Sequence, residues 1–497
     1  MDIRLKNIGI IKDSTLSLNG LTVITGKNNS GKTTVGKALY SLLDAVSDLK
    51  QKADRDSDRY IEERVDDISA FLYDWRFGDL LAKNKKLFAD YPNMASLTFR
   101  NRRPLAFSFT MSDSNSVNIH ALADELKAFD IRAFNNRKSL IYDRGIFRRG
   151  FHLALRDQKM PSSTDDFDEL FNTRRDEAVS ILKRLLADIN KDPELTAYAR
   201  ESINQTLQLE FANQIQPVGS HGVTSSIELS SGDSIFFQCR IAGNKIVDDK
   251  KPVFNYAPYK RAYMIDDPFV LDYGSDFPSP FSPQFRKRAT PMATFGPETI
   301  GHHNFKLWQV LRRSGKPSIF EQTLLDESLK PIKGHIDKII PGTFEFARDG
   351  DYYVHDGARL KISNMATGSK MFAIIKILIE KGLIDNATML ILDEPEIHLH
   401  PMWQNSFAEI IALLVQQLDV NVLLTTHSPN FMLALDACMR KYDIIGKTNF
   451  YRTEALDDGF VQYKCVTDDM GAIYKDFLQY LSEMKVLRDH YLDNLGE

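Results

Sequence analysis

The apolar positions change period several times along the chain. The first 25 residues read as short strands, IRLKNIGII, TLSLN and LTVIT, with Asn19-Gly20 as the turn before the last. A glycine-rich loop from Gly26 and a helix beginning near Thr33 follow. From about Asp44 to Lys86, apolar residues at helical intervals among Asp, Arg and Lys predict solvated helices. SLTFRN and PLAFSFTM look like strands. From about Ile119 to Gln214 the spacing is helical again, clearest in DEAVSILKRLLADI, while Ser225 to Leu271 alternates like antiparallel strands with turns at Gly232-Asp233 and Gly243-Asn244. Asp272 to Pro297 holds five of the nineteen prolines and reads as an irregular loop or linker. Helices resume near Phe305. Strands are expected over Thr343 to Ile362, turning at Asp349-Gly350 and Asp356-Gly357. Then helix and buried strand alternate: SKMFAIIKILIEKG, TMLILD, MWQNSFAEIIALLVQQL, NVLLTTH. That alternation predicts a parallel α/β sheet with right-handed crossovers. A last apolar helical stripe, with Ile473, Phe477, Leu481, Met484 and Leu487, predicts a C-terminal helix that packs on the chain's own core or docks a partner.

Candidate chemistry sits at the junctions of this pattern. Gly26-Lys27-Asn28-Asn29-Ser30-Gly31-Lys32-Thr33 fits G-x-x-x-x-G-K-[ST] between an apolar strand and a helix. Glycines let backbone amides fold around phosphates, and the helix N-terminus favours the anion. Gly26, Asn28, Asn29, Ser30, Gly31, Lys32, Thr33 and Thr34 are therefore the expected nucleotide-binding residues, with Lys32 on β- and γ-phosphate oxygens and Thr33 as an oxygen ligand for Mg²⁺. The strand MLIL ends in Asp393-Glu394-Pro395. A nucleotide hydrolase needs a carboxylate there to hold Mg²⁺, assigned to Asp393, and a second to activate water, assigned to Glu394. Strand alternation would separate adjacent side chains, but at a strand end both can converge. The next buried strand ends in His427-Ser428-Pro429, and a histidine at the mouth of a parallel sheet can bond the γ-phosphate. The expected catalytic set is Lys32, Glu394 and His427, with ATP and Mg²⁺ as cofactors.

Composition narrows the partners. The chain is 43% apolar and 26% charged, and 63 basic against 67 acidic residues give a formal charge of −4. No global field draws in nucleic acid or an anionic membrane, so any such contact is local. Local basic clusters occur at Arg100, Arg102 and Arg103, at Arg144, Arg148 and Arg149, and at Arg286, Lys287 and Arg288, which makes a nucleic-acid or protein site in this region conceivable beside the simpler reading of solvated faces. Three scattered cysteines, Cys239, Cys438 and Cys465, lack metal-ligand spacing and suggest a reducing compartment with buried or inert thiols. With no signal-like or membrane-spanning stretch, a cytoplasmic protein without membrane contact is expected.

Three histidine or acidic features read as decoys. Asp266-Asp267 in AYMIDDPF mimics the acidic strand end, but the preceding run is too short for a central strand and predicts a strand-to-loop junction, with a place near the nucleotide's coupling loop as a further reading. His302-His303 reads as an exposed loop pair, because no carboxylate or cysteine stands at ligand spacing. His398 and His400 could serve as metal ligands, but the family that this stretch resembles implies a subunit-contact loop there instead.

GKNNSGKT, LILDEPEIHLHP and TTHSP, in that order, resemble the motifs of the ATP-binding-cassette ATPases, in the branch of SMC-like and OLD-type (overcoming-lysogenization-defect) defence ATPases. The resemblance covers about residues 1–45 and 340–440. It implies an α/β fold, an ABC-type P-loop NTPase head carrying a large mixed helical and antiparallel β insertion. On this reading residues 1–45 and 340–470 form the head, part of the 46–339 insertion joins its antiparallel sheet, and 471–497 form a C-terminal helix. The family also implies a homodimer, or a higher oligomer, closed head-to-tail around two ATP molecules, with a signature segment from each partner. Here that segment is Asn364 to Lys370, so Thr367, Gly368 and Ser369 are expected at the nucleotide. The serine the family prefers falls on Ala366, and the family's glutamine loop has only Gln238 as a weak candidate.

Four functions compete. An ATP-gated switch or sensor controlling a separate effector such as a nuclease, as in Septu-type and related anti-phage defence systems, fits the resemblance best. An OLD-family protein acting on nucleic acid would need a further metal domain, yet only residues 428–497 follow His427 and Asp457-Asp458-Gly459 reads as a hairpin turn. A chromosome-maintenance or repair ATPase of the SMC-like class should carry sustained heptads between the phosphate loop and the signature, and none are evident. A transporter motor has a much shorter interval there.

Overall fold

The computed structural model describes residues 1–54, 56, 173, 176, 180, 183–184, 195–219, 222–247, 259–273, 302–312, 319–347 and 349–493. Contacts divide the chain into Met1–Asp48 with Thr196–Glu497, and Leu49–Leu195. In the second unit, residues 49–54, 56, 173, 176, 180, 183 and 184 are helical. The strands expected at SLTFRN and PLAFSFTM and all three basic clusters lie outside the described residues.

In the first unit, chain order runs β1 (Asp2–Ile8), β2 (Ile11–Ser17), β3 (Leu21–Thr25), α1 (Lys32–Val46), α2 (Leu195–Glu210), β4 (Ser225–Ser231), β5 (Ser234–Ala242), β6 (Lys245–Val247) and β7 (Arg261–Ile265). After a 3₁₀ turn, Pro268–Tyr273, come α3 (His302–Arg312), α4 (Ile319–Ile339), β8 (Thr343–Ala347), β9 (Gly350–His355), β10 (Ala358–Lys361) and α5 (Thr367–Glu380). The chain closes with β11 (Thr388–Asp393), α6 (Pro401–Leu418), β12 (Asn421–Thr426), α7 (Pro429–Lys441), β13 (Thr448–Ala455), β14 (Val461–Cys465) and α8 (Met470–Asp493).

Eleven strands form one sheet in the order β6-β5-β4-β1-β2-β14-β13-β3-β12-β11-β7. From β6 to β2 neighbours are antiparallel, and from β13 through β3, β12 and β11 to β7 they are parallel. The parallel half holds the continuous apolar runs, LTVIT and TMLIL, because both its faces are covered. Alternate residues divide between two cores: Leu390 and Leu392 face α5, α6 and α7, whereas Met389 and Ile391 face α1. Strands β8, β9 and β10 form a separate antiparallel sheet that turns at Asp356-Gly357, both with positive φ. The β13–β14 hairpin turns at Gly459, φ 82°, where Asp457-Asp458-Gly459 predicts it.

One expectation from alternation changes. Residues 225–247 do form antiparallel strands, but β7 runs parallel to β11. A period of two reports which faces a strand presents, not the direction of its neighbour; the path of the chain between them decides that. Within the stretch 46–339, residues from 196 onward group with Met1–Asp48 and contribute β4 to β7 and α2 to α4.

His302-His303 is not an exposed loop pair. It opens α3, which packs against the edge strand β7, and His303 is 2% exposed. Its Nδ1 lies 2.6 Å from Glu210 Oε2, its amide donates to Glu210 Oε1, and its Nε2 lies 2.9 Å from Asp266 Oδ2. These carboxylates come from α2 and the end of β7, separations that no local spacing rule can see. Burial disfavours the His303 cation, yet the two carboxylates outweigh it and raise its pKa to about 9. Among the described residues no cluster of three or more His, Cys, Asp or Glu is arranged to hold a metal. Of the cysteines, Cys239 is buried, with its thiol pushed up to about 12, Cys438 is half-buried and Cys465 is exposed. In α8, Ile473 enters the core while Leu478, Met484 and Val486 are exposed; the side chains of Phe477, Leu481 and Leu487 lie outside the description. No helix among the described residues is long and apolar enough to cross a membrane.

Candidate functional site

The site lies at the C-terminal ends of β3, β11 and β12, where an open parallel sheet places its ligands. After β3 the chain turns through Asn29 and Gly31, with φ of 60° and 78°, and enters α1 directly at Lys32. No side chain caps α1 and its first turn has no acidic residue, so its free amides suit an anion. A Cβ at Gly26 would lie 1.8 Å from Thr453 Oγ1 and 2.9 Å from its Cβ, so a side chain there would force β13 and the loop apart. Ser30 Oγ donates to the Lys27 carbonyl at 2.7 Å, and Tyr463 OH donates to the Gly31 carbonyl at 2.7 Å, so the loop is braced from inside and from β14. Asn28 and Asn29 are exposed on its rim.

Lys32 is 4% exposed. Its ammonium donates to the Gly26 and Lys27 carbonyls at 3.0 and 2.9 Å and pairs with Glu394 Oε1 at 3.1 Å. Thr33 Oγ1 donates to Asp393 Oδ2 at 2.6 Å, across 360 residues of sequence. A hydroxyl and a carboxylate oxygen in contact are the hard donors that Mg²⁺ takes, and adjacent positions in its octahedron stand about 2.9 Å apart, so the pair fits this ion. Burial pushes the Asp393 carboxyl upward, with help from Asp266 and Glu394, while hydrogen bonds from Thr33 and Thr425 oppose the shift.

The adjacent acids converge because Glu394 leaves the strand in a left-handed conformation, φ 49°. That conformation costs about 1–2 kcal/mol for a residue with a Cβ. Its amide is held by the Thr425 carbonyl at 3.1 Å and Thr425 Oγ1 at 3.0 Å. His427 Nδ1 lies 3.2 Å from Glu394 Oε2, with the ring 40% exposed. The cap of α7 is Ser428, whose Oγ accepts from the Phe431 amide, so capping does not account for His427.

The structure thus brings Lys32, Thr33, Asp393, Glu394 and His427 together. The signature residues stand at the start of α5, which likewise has no side-chain cap. Thr367 and Ser369 are half-buried, but Gly368 is buried, and a Cβ on it would lie 2.8 Å from the His398 carbonyl and 3.2 Å from the Trp403 ring. Its missing side chain is therefore required by packing within the chain. Gln238 donates to Glu228 across β4 and β5. His400 caps α6, its Nδ1 accepting from the Met402 amide, and His398 meets Phe269 edge to face.

Sequence reading passed over three contributors. Thr425, Thr426 and Glu396 stand inside motifs already singled out, and hydroxyls ending an apolar strand were the available signal for the two threonines. Asp266 was singled out, but as a decoy. The parallel register that pairs Leu392 with Ile265 sets Asp266 beside Asp393, which only the strand order reveals.

The sequence profile described as AAA ATPase domain matches residues 1–218 and 298–432, and the chain belongs to that family. The fold is that of an α/β P-loop NTPase. Among solved structures, the chain is similar to the SMC head domain from Thermotoga maritima, at 8% identity and a TM-score of 0.32, with 94% of this chain and 98% of that one covered. It is also similar to the Smc head domain with an extended coiled coil bound to the C-terminal domain of ScpA, from Pyrococcus furiosus, at 10% identity and a TM-score of 0.29, covering 97% and 98%.

Proposed function

We propose that this AAA-family chain hydrolyses ATP to ADP and phosphate and works as an ATP-gated dimeric switch over a separate protein effector. The observation that carries the hydrolase reading is the meeting of Lys32 and His427 on the two oxygens of Glu394, beside the Thr33–Asp393 pair.

Lys32 and the amides of the 26–33 loop bind the phosphates, and the Lys32 ammonium leaves Glu394 for β- and γ-phosphate oxygens as they arrive. Thr33 and Asp393 would hold Mg²⁺, which supplies positive charge against the phosphate oxygens when bound. Glu394, released from Lys32, orients a water and accepts its proton as the water oxygen bonds to the γ-phosphorus and the β–γ bridging bond breaks. His427 keeps Nδ1 on Glu394, and its other ring nitrogen addresses the γ-phosphate.

The dimer reading is supported by the uncapped α5 start with half-buried Thr367 and Ser369, and by exposed Ile397 and Met402 in and beside the loop after β11. The resemblance to Septu-type and related defence ATPases supports a separate effector, for which a nuclease is the leading candidate, in a cytoplasmic anti-phage role. Purified chain is tested for Mg²⁺-dependent release of phosphate from ATP, and then for an ATP-stabilised dimer by light scattering. Absence of turnover in a folded, ATP-binding preparation rejects the hydrolase. A nuclease encoded alongside or co-purifying supports the effector, and a membrane permease in that place rejects it.

A further inference from the structure

Glu396 is 2% exposed, two residues beyond the water-activating candidate, and no step above uses it. One of its oxygens, Oε1, accepts from the Thr426 hydroxyl and, at 3.3 Å, from the backbone amide of His427. Its other oxygen is buried without a hydrogen-bond partner. Burial raises its pKa, against hydrogen bonds from Thr426 and His427. An incompletely satisfied buried carboxyl costs stability, which an apolar side chain of similar size would not.

The bonds of this carboxyl are spent on one peptide. Thr426 Oγ1 accepts from the Ser428 amide at 3.0 Å, so the hydroxyl that Glu396 holds also fixes the residue after His427. From the same side, Gln404 donates to the Leu399 carbonyl at 3.2 Å and its Oε1 accepts from Asn430 at 2.9 Å and from Ser428 Oγ at 3.3 Å. Glu396 therefore holds the His427 amide directly and the Ser428 amide through the Thr426 hydroxyl, while Gln404 of α6 holds the side chains of Ser428 and Asn430. The His427 ring is 40% exposed and meets Glu394 Oε2 through Nδ1 at 3.2 Å, so a shift of its backbone moves the ring relative to Glu394.

We infer that Glu396 is a positioning residue: it clamps the His427 backbone from the loop that carries Glu394, holding histidine and water activator in register. The inference rests on the hydrolase reading above. Because both ends of the clamp flank the site, displacement of His427 by a fraction of an ångström should appear in turnover and not in nucleotide affinity.

The test is steady-state ATP hydrolysis and nucleotide affinity for Glu396→Ala, Glu396→Gln and Thr426→Val, each alone and with His427→Ala. Glu396→Ala is expected to lower kcat about tenfold to hundredfold with ATP affinity within twofold. Glu396→Gln keeps a carbonyl acceptor for Thr426 and the His427 amide, and should recover most of that loss. In the His427→Ala background Glu396→Ala should cost nothing further, which a residue that merely stabilises the fold would not show. Thr426→Val, which removes one of the two bonds at Oε1 with little change of shape, should give a smaller loss with the same non-additivity, and it decides the matter where Glu396→Ala does not fold. Wild-type kcat in folded Glu396→Ala or in Thr426→Val, or losses that multiply with His427→Ala, overturns the clamp. Wild-type protein that binds ATP without turnover overturns the hydrolase reading and the clamp together, whereas the former results overturn the clamp alone.

Discussion

Thr425 Oγ1 donates to Asp393 Oδ1 at 2.5 Å and itself accepts from the Glu394 amide at 3.0 Å, so one side chain on β12 orients both acids at the end of β11. Thr425→Val should therefore loosen Asp393, the carboxylate proposed to hold Mg²⁺, without touching the phosphate loop. The Mg²⁺ concentration for half-maximal ATP hydrolysis is expected to rise about tenfold, as for other groups that orient a metal ligand, with Thr425→Ser near wild type. A magnesium titration of phosphate release measures this, and an unchanged midpoint counts against the role of Asp393.

Removing the charge of Glu394 separates binding from chemistry. Glu394→Gln should bind ATP at least as well as wild type, because Lys32 loses a competing partner, while kcat falls about a hundredfold or more. Unimpaired hydrolysis would remove Glu394 from the catalytic role. The same variant with ATP should accumulate as a dimer on size exclusion.

Lys32→Ala should abolish measurable ATP binding. Beyond the lost phosphate contact, the Gly26 and Lys27 carbonyls and Glu394 lose their common cation. Equilibrium binding of a fluorescent ATP analogue reports the loss, and normal affinity would refute the phosphate-loop assignment.

Gly368→Ala is expected to destabilise the protein by about 1–3 kcal/mol, since its Cβ would press on the His398 carbonyl and the Trp403 ring. Gly446→Ala, where a Cβ meets nothing within 4 Å, is the control and should stay near wild type. Thermal melting of both variants makes the comparison; equal midpoints would show that packing does not require this glycine.

His303 gives the stability a pH dependence of known sign. Its folded pKa, about 9, lies above its unfolded value, so its contribution is full below about pH 6.5 and is lost as pH rises through about 9. The contribution is on the order of 3 kcal/mol, and Glu210 and Asp266 supply it. Wild-type melting temperature should fall between pH 6 and pH 9, and His303→Gln should flatten the slope. A slope unchanged by the substitution would show that the pair titrates elsewhere.

Much of the site was legible without coordinates because its pieces are local. A strand, a glycine loop and a helix start are contiguous in residues 21–34, and the buried strands ending at Asp393 and Thr426 announce their mouths by the change from apolar to polar. The convergence of Asp393 and Glu394 was readable as a possibility, but the left-handed turn at Glu394 that achieves it was not, because glutamate carries no propensity for that conformation.

Tertiary structure decided what depends on which distant segments meet. Asp266 reads as a loop acid until β7 is placed beside β11, and His303 reads as a surface histidine until α2 and β7 bring Glu210 and Asp266 to it. That Gly368 is also required by packing shows only when Trp403 and the His398 carbonyl fill the space a side chain would take. By itself the sequence determined the phosphate loop, the acidic strand end and the alternation that makes a parallel sheet, because periodicity and turn chemistry act between near neighbours. Strand order, the pairing of buried charges and the clamp of Glu396 on His427 were decided only by the fold, because burial and hydrogen bonding act through space between residues that sequence distance keeps apart.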